Sequence, residues 1–259
     1  MKALRSLVVL TSVFIASCSS GSSNTMPAET TTTDISTTTS TEILTNSTET
    51  SSEIAVDSST TAAKSAQSTF TAEVWADNWF SLYINGKLVG EDSVPITTEK
   101  SFNSERITFT ASYPFTIAMV TKDFKQNDTG LEYIGTDRQQ IGDGGFVAQF
   151  TDTSTGLVVA TTSSAWHGLV IHQAPLNTSC EKSSKPEVDC TSKISEEPTG
   201  WTQPTFSDAS WPAATVYSKE AVGVKDGYNN ISWSSNAQLI WTSDLKIDNT
   251  ILWRYTVKA

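Results

Sequence analysis

Histidine is almost absent from this chain: there are two, His167 and His172, in 259 residues. Read on a strand, their spacing of five sends them to opposite faces, so they cannot chelate one ion together. No Gly-x-Ser-x-Gly elbow, phosphate-binding P-loop or His-Glu-x-x-His helix occurs, which removes the familiar signatures of esterases, nucleotide-binding proteins and zinc proteases. Basic residues are also scarce, with 17 Lys and Arg against 28 Asp and Glu and a formal charge of −11. A field of that sign opposes nucleic acid and anionic membrane surfaces. No segment carries the apolar period of an amphipathic helix. Carboxylate pairs for glycoside hydrolysis form only in three dimensions. With no catalytic motif in view, the chain is expected not to be an enzyme.

Cysteine is sparse and odd in number: Cys18, Cys180 and Cys190. The N-terminus, MKALRSLVVLTSVFIASC, has a cationic start in Lys2 and Arg5 and a short apolar run from Leu7 to Ile15. That run is too short to span a bilayer and has the form of an export signal. Ile15-Ala16-Ser17-Cys18 resembles the bacterial lipobox, which implies cleavage before Cys18 and diacylglycerol on its sulfur. Several acyl chains on one residue give stable anchoring where a single chain is marginal. The serines after Cys18 lack the aspartate that resembles an inner-membrane retention signal. The expected location is therefore the cell envelope, on the outer membrane if the organism is Gram-negative. Lipidation leaves an even pair, Cys180 and Cys190, around the short loop CEKSSKPEVDC. Outside the cytoplasm a disulfide is the expected state; a metal site would lack a third or fourth ligand nearby.

Residues 1–18 are thus a leader and 19–68 a low-complexity Ser/Thr stalk in which Lys64 is the only cation. Such a segment buries too little apolar surface to offset its ordering entropy. As a flexible coil of about 50 residues it would span roughly 40 Å, which suits a disordered tether. From residue 69 to 259 the composition is globular, with room for one β domain.

There the period turns to two. Phe70, Ala72, Val74 and Ala76 share a face, as do Phe80, Leu82 and Ile84, and Phe146, Ala148 and Phe150. Further alternating or apolar runs lie at 107–111, 115–119, 157–161, 238–241 and 251–257, all expected strands. Asn85-Gly86 between apolar runs signals a two-residue hairpin, and 143–145 and 154–156 signal further turns. Many short strands joined by polar turns predict an all-β sandwich or jelly roll.

Four blocks, in order, make the chain similar to the galactose-binding-domain-like jelly roll, the accessory sugar-binding sandwich of glycoside hydrolases such as α-L-rhamnosidases. They are ADNWFSLYINGKLVG at 76–90, PFTIAMVTKD at 114–123, GDGGFVAQFTDTSTGLVVATTSSAW at 142–166 and GWTQPTFSDASWPAATVY at 200–217. Two depart from the family's pattern: Phe206-Ser207-Asp208-Ala209 stands where it has F-D-D-S, and Thr162-Ser163-Ser164-Ala165-Trp166 where it has T-D-x-S-W. The resemblance implies a carbohydrate partner; unlike in those hydrolases, no catalytic domain is expected beside the sandwich. The alternative is a structural or protein-binding envelope lipoprotein, and a remote one is a glycan-active hydrolase.

A sugar site needs a flat aromatic for the apolar sugar face and amides or carboxylates for its hydroxyls. Trp75, Asp77, Asn78, Trp79 and Tyr83 supply those types at the entrance to the hairpin; the alternative is that Asp77 and Asn78 cap a turn over packed tryptophans. A long polar segment at 128–145 adds Glu132, Asp137, Arg138 and Asp143. Arg138 has the fork to grip a carboxylated sugar. The carboxylates and carbonyls there suit Ca²⁺, although no Asp-x-Asp-x-Asp-Gly loop is present; the alternative is a solvated loop with an internal ion pair. Trp166, Trp201, Trp211 and Trp241 are expected in the core and Trp233 at the surface.

Overall fold

The computed structural model describes residues 66–97, 103–123 and 126–258. Cys18, the leader and nearly all of the Ser/Thr stalk lie outside these residues. The first strand opens at Ser68, one residue before the expected boundary.

Fourteen strands are described: β1 Ser68–Asp77, β2 Trp79–Ile84, β3 Lys87–Glu91, β4 Ser104–Ala111, β5 Phe115–Lys122, β6 Leu131–Glu132, β7 Gln140–Ile141, β8 Gly145–Asp152, β9 Val158–Thr161, β10 His167–Gln173, β11 Lys193–Ile194, β12 Thr215–Tyr217, β13 Leu239–Trp241 and β14 Asp248–Val257. Among the described residues, helix is confined to single turns, including α1 Pro186–Asp189 and α2 Lys219–Val222. Two antiparallel six-stranded sheets result. One runs β12-β13-β8-β1-β4 with β9 also on β8; the other runs β11-β10-β14-β5-β2-β3. β13 and β9 share one edge of β8, the first at Phe146 and the second from Gln149 to Thr151.

The alternation explains the sandwich. Phe70, Ala72, Val74, Phe146, Ala148 and Phe150 from the first sheet meet Phe80, Leu82, Ile117, Met119, Ile251 and Trp253 from the second in one buried core. Burial of this apolar set is the main favourable term in folding. The Asn85-Gly86 turn has both residues at positive φ, 49° and 82°, the backbone a tight hairpin requires. Asn85 also accepts from the Thr116 N–H at 2.8 Å, which ties the turn to β5.

Part of the outward face of each sheet is covered. Over the second sheet, Trp201 and Trp211 pack on Ala118, Val120, Ile171 and Leu252. Arg254, 3% exposed, holds this cover by donating to the carbonyls of Trp201 and, at 3.1 Å, Phe206. Over the first sheet, Val222 and Tyr228 pack on Trp75, Val147 and Leu239. Trp233 is half-buried in that cover rather than at the surface, its indole N–H donating to the Tyr228 carbonyl at 2.9 Å. Trp166, Trp201, Trp211 and Trp241 are buried.

The histidine spacing misleads. A bulge between Val170 and His172 pairs His167 with Arg254 and His172 with Thr250. Residues four apart on β14 share a face, so the extra residue brings both imidazoles to the same side. His172 is nonetheless buried while His167 sits half-exposed, 3.4 Å from an Asp208 oxygen.

Candidate functional site

The hairpin entrance is a packed corner. Asp77 and Asn78, joined by a cis peptide, are each 1% exposed. The Asn78 N–H donates to the Lys122 carbonyl at 2.9 Å. Trp75 lies opposite Val74, as its alternation requires, but it is fully buried beneath the C-terminal cover, with its indole N–H on the Asp226 carbonyl at 3.0 Å. Trp79 is half-buried with the Lys122 ammonium 5.0 Å from its ring centre, a cation–π distance. Tyr83, also half-buried, stands edge-on to Trp201 at 6.0 Å.

The segment at 128–145 is not a plain loop. Leu131 pairs with Ile141 and Glu132 with Gln140 in a short hairpin. Its carboxylates separate. Asp137 and Arg138 are exposed at the tip, where the guanidinium stacks 4.3 Å from the Tyr133 ring centre. Glu132 is buried and accepts from the Gln140 amide at 2.9 Å; Asp143 is half-exposed. Gln139 reaches the carbonyls of Glu181 and Ser183, each at 2.8 Å, and so docks the hairpin on the disulfide loop. Cys180 and Cys190 are bonded, with Cα atoms 5.2 Å apart, within the normal range for a bridge.

Glu132 and Asp143 do act on Asp77, together with Lys225, whose ammonium is 3.9 Å from an Asp77 oxygen. Burial pushes the Asp77 carboxyl well above the usual range; Lys225 opposes that shift, while Asp143 and Glu132 add to it. Lys225 is itself held above its ordinary value, because Asp77, Asp143, Glu132 and Tyr133 outweigh its own desolvation. Asp77 and Glu132 are enclosed, so this cluster does not offer two carboxylates across a cleft. Lys225 lies about 150 residues along the chain from Asp77, and no local pattern in the sequence marks it. Among the described residues, no group of three or more His, Cys, Asp or Glu is placed to hold a metal.

A concave site lies elsewhere, where sequence reasoning saw only a turn and an alternating strand. Among the described residues, β3 pairs only with β2, and β4 only with β1. Their free edges close one side of the sandwich as a seam. At its middle, Gly90 sits so near Ile107 that a Cβ would come within 2.6 Å of the isoleucine side chain. Toward the Asn85-Gly86 turn the seam opens into a groove of about 670 Å³. Asn85, Lys87, Thr108 and Thr110 are exposed along it, over a floor that includes buried Phe109 and Ala111. Leu88, 46% exposed, forms an apolar wall, and Gln67 donates to Thr110 Oγ1 at 3.0 Å. The only ionisable side chain in this lining is Lys87. The signal available in the sequence was the polar half of β4, whose Thr108 and Thr110 alternate outward against Phe109 and Ala111.

No family model, curated protein or solved structure matches the chain.

Proposed function

We propose that this is an exported lipoprotein, anchored through Cys18 and held off the envelope by its Ser/Thr stalk, whose sandwich binds carbohydrate without catalysis. The resemblance of the four blocks to galactose-binding-like jelly rolls supports the reading, and the two-sheet sandwich agrees with the coarse fold that it implies. The observation that carries it is the lining of the seam groove: amides, hydroxyls and one ammonium beside an exposed leucine. Amides and hydroxyls both donate and accept, as sugar hydroxyls do. An apolar wall matches the C–H face of a pyranose. The hairpin entrance is the weaker place for the ligand, because Asp77 and Asn78 are buried and Trp75 is under a cover.

Affinity electrophoresis of the full chain through gels containing soluble polysaccharides tests this. Retardation is expected for the wild type, with about a 30-fold loss of affinity in Thr108→Val/Thr110→Val, on the order of 1 kcal/mol per lost hydrogen bond. Full retardation of that variant, together with release of Trp79→Ala, would move the site to the hairpin entrance.

A second reading, a partner-binding envelope protein, is favoured by three exposed apolar side chains in and beside the disulfide loop: Leu176 at 50%, Val188 at 79% and Ile194 at 59%. A folded chain that binds no glycan would favour it.

A further inference from the structure

The lining of the seam groove is biased toward hydrogen-bond donors. Asn85 is fixed at its turn end by two bonds: its N–H donates to the Thr116 carbonyl at 3.0 Å, and its Oδ1 accepts from the Thr116 N–H at 2.8 Å. A backbone N–H only donates, so the side-chain oxygen of Asn85 must face it, and the amide NH2 of this exposed residue is left to donate. Thr110 Oγ1 accepts from the Gln67 amide at 3.0 Å, which frees its own proton for another partner. Thr108 is exposed two residues earlier on the same face of β4. Lys87, also exposed, carries only donors. Among the described residues its ammonium makes no hydrogen bond or ion pair, whereas Arg106, Lys225 and Arg254 each reach a carboxylate. No carboxylate lines the groove.

A neutral sugar offers hydroxyls, each of which donates as well as accepts. An ionised acidic group only accepts, and it suits an unpaired ammonium beside donor groups. Given that the seam groove is the sugar site, we infer that it selects a glycan carrying an acidic sugar, whose carboxylate or sulfate ester is taken by Lys87 and Asn85. Leu88, the next residue, supplies the apolar wall for the ring. The net charge of −11 works against any anionic ligand. At physiological ionic strength that field is screened over about 8 Å, so within a lining free of carboxylates the contact with Lys87 decides the preference. Exposed ion pairs are weak, and the selectivity is therefore modest, about three- to fivefold for the acidic sugar over its neutral counterpart. Lys87 sets which sugar is preferred; Thr108, Thr110 and Leu88 serve acidic and neutral sugars alike.

The test is affinity electrophoresis of the full chain in two matched pairs of gels: polygalacturonate against its methyl ester, and dextran sulfate against dextran. Each pair keeps the same sugar ring and differs in the acidic group. The wild type is expected to bind the charged member of a pair about three- to fivefold more tightly than the neutral one, and the pair that responds identifies carboxylate or sulfate as the group. Lys87→Gln is expected to bring that ratio to about one, and Lys87→Arg to keep it. Lys87 is exposed beside the turn, so neither change removes a packed side chain. Equal retardation within both pairs overturns the inference and leaves the carbohydrate reading standing. A preference for the charged member that persists in Lys87→Gln also overturns it, by placing the acidic contact outside the groove. No retardation in any of the four gels overturns it too, and the reading on which it rests falls with it if the wider set of polysaccharides gives none either.

Discussion

Asp77 stands in the most sugar-like motif of the chain, yet its carboxylate is enclosed against Lys225. Its burial has a direction in pH. The folded-state pKa is raised above the unfolded value, so its contribution to stability is fully present below about pH 4, the ordinary carboxylate value. That contribution is lost as the pH rises through the folded pKa. Asp77→Asn is therefore expected to unfold at higher urea than the wild type at pH 8, with the gap closing near pH 4. A gap of the same size at both values would contradict the assignment. Asp92 behaves alike over a narrower window, its stability contribution fading between about pH 4 and about 6. Asp92→Asn should flatten that part of the profile in a urea series. The residue types at these positions were legible in the sequence. Their burial was not, because Trp75 and Asp77 are covered by segments far along the chain.

Elements were easier to read than their neighbours. Period-two alternation located β1, β2, β5, β8 and β14 because each has one face in the shared core. The bulge that brings His167 and His172 to one side leaves no mark in the sequence, since an extra residue looks like any other. The short β6–β7 hairpin was hidden for a related reason: two-residue strands carry no period. Neither cover could be inferred, because a β-strand pattern says nothing of what lies over its outer face. The Arg254 clamp tests the cover at 201–211. Arg254→Met removes the donors to two carbonyls and is expected to cost about 2–3 kcal/mol, with an increase in accessible Trp201 read by acrylamide quenching. Unchanged stability would show that the tryptophans seat without the clamp. The disulfide tests the other arm. Closing a loop of ten residues contributes roughly 3 kcal/mol or less by the chain-entropy argument. Cys180→Ser/Cys190→Ser should lower the unfolding free energy measured in urea by that order, while the docked hairpin at 131–141 loosens in hydrogen exchange.

At the scale of the whole molecule, part of each broad face of the sandwich is occupied by the chain's own covers. The β3–β4 seam stays open to solvent at Thr108 and Thr110. In a chain of net charge −11, the groove lining presents no carboxylate and one ammonium, so it departs from the chain's overall acidic balance. That contrast arises only when strands some twenty residues apart meet edge to edge, and it was invisible in the linear sequence. The central claim is that this groove binds carbohydrate. A glycan-array screen of the full chain, run in Ca²⁺ and repeated with Thr108→Val/Thr110→Val, tests it most directly. The account predicts a specific set of glycans whose signal collapses in the double variant. A blank array from folded wild-type protein, or a signal indifferent to the two threonines, would contradict it.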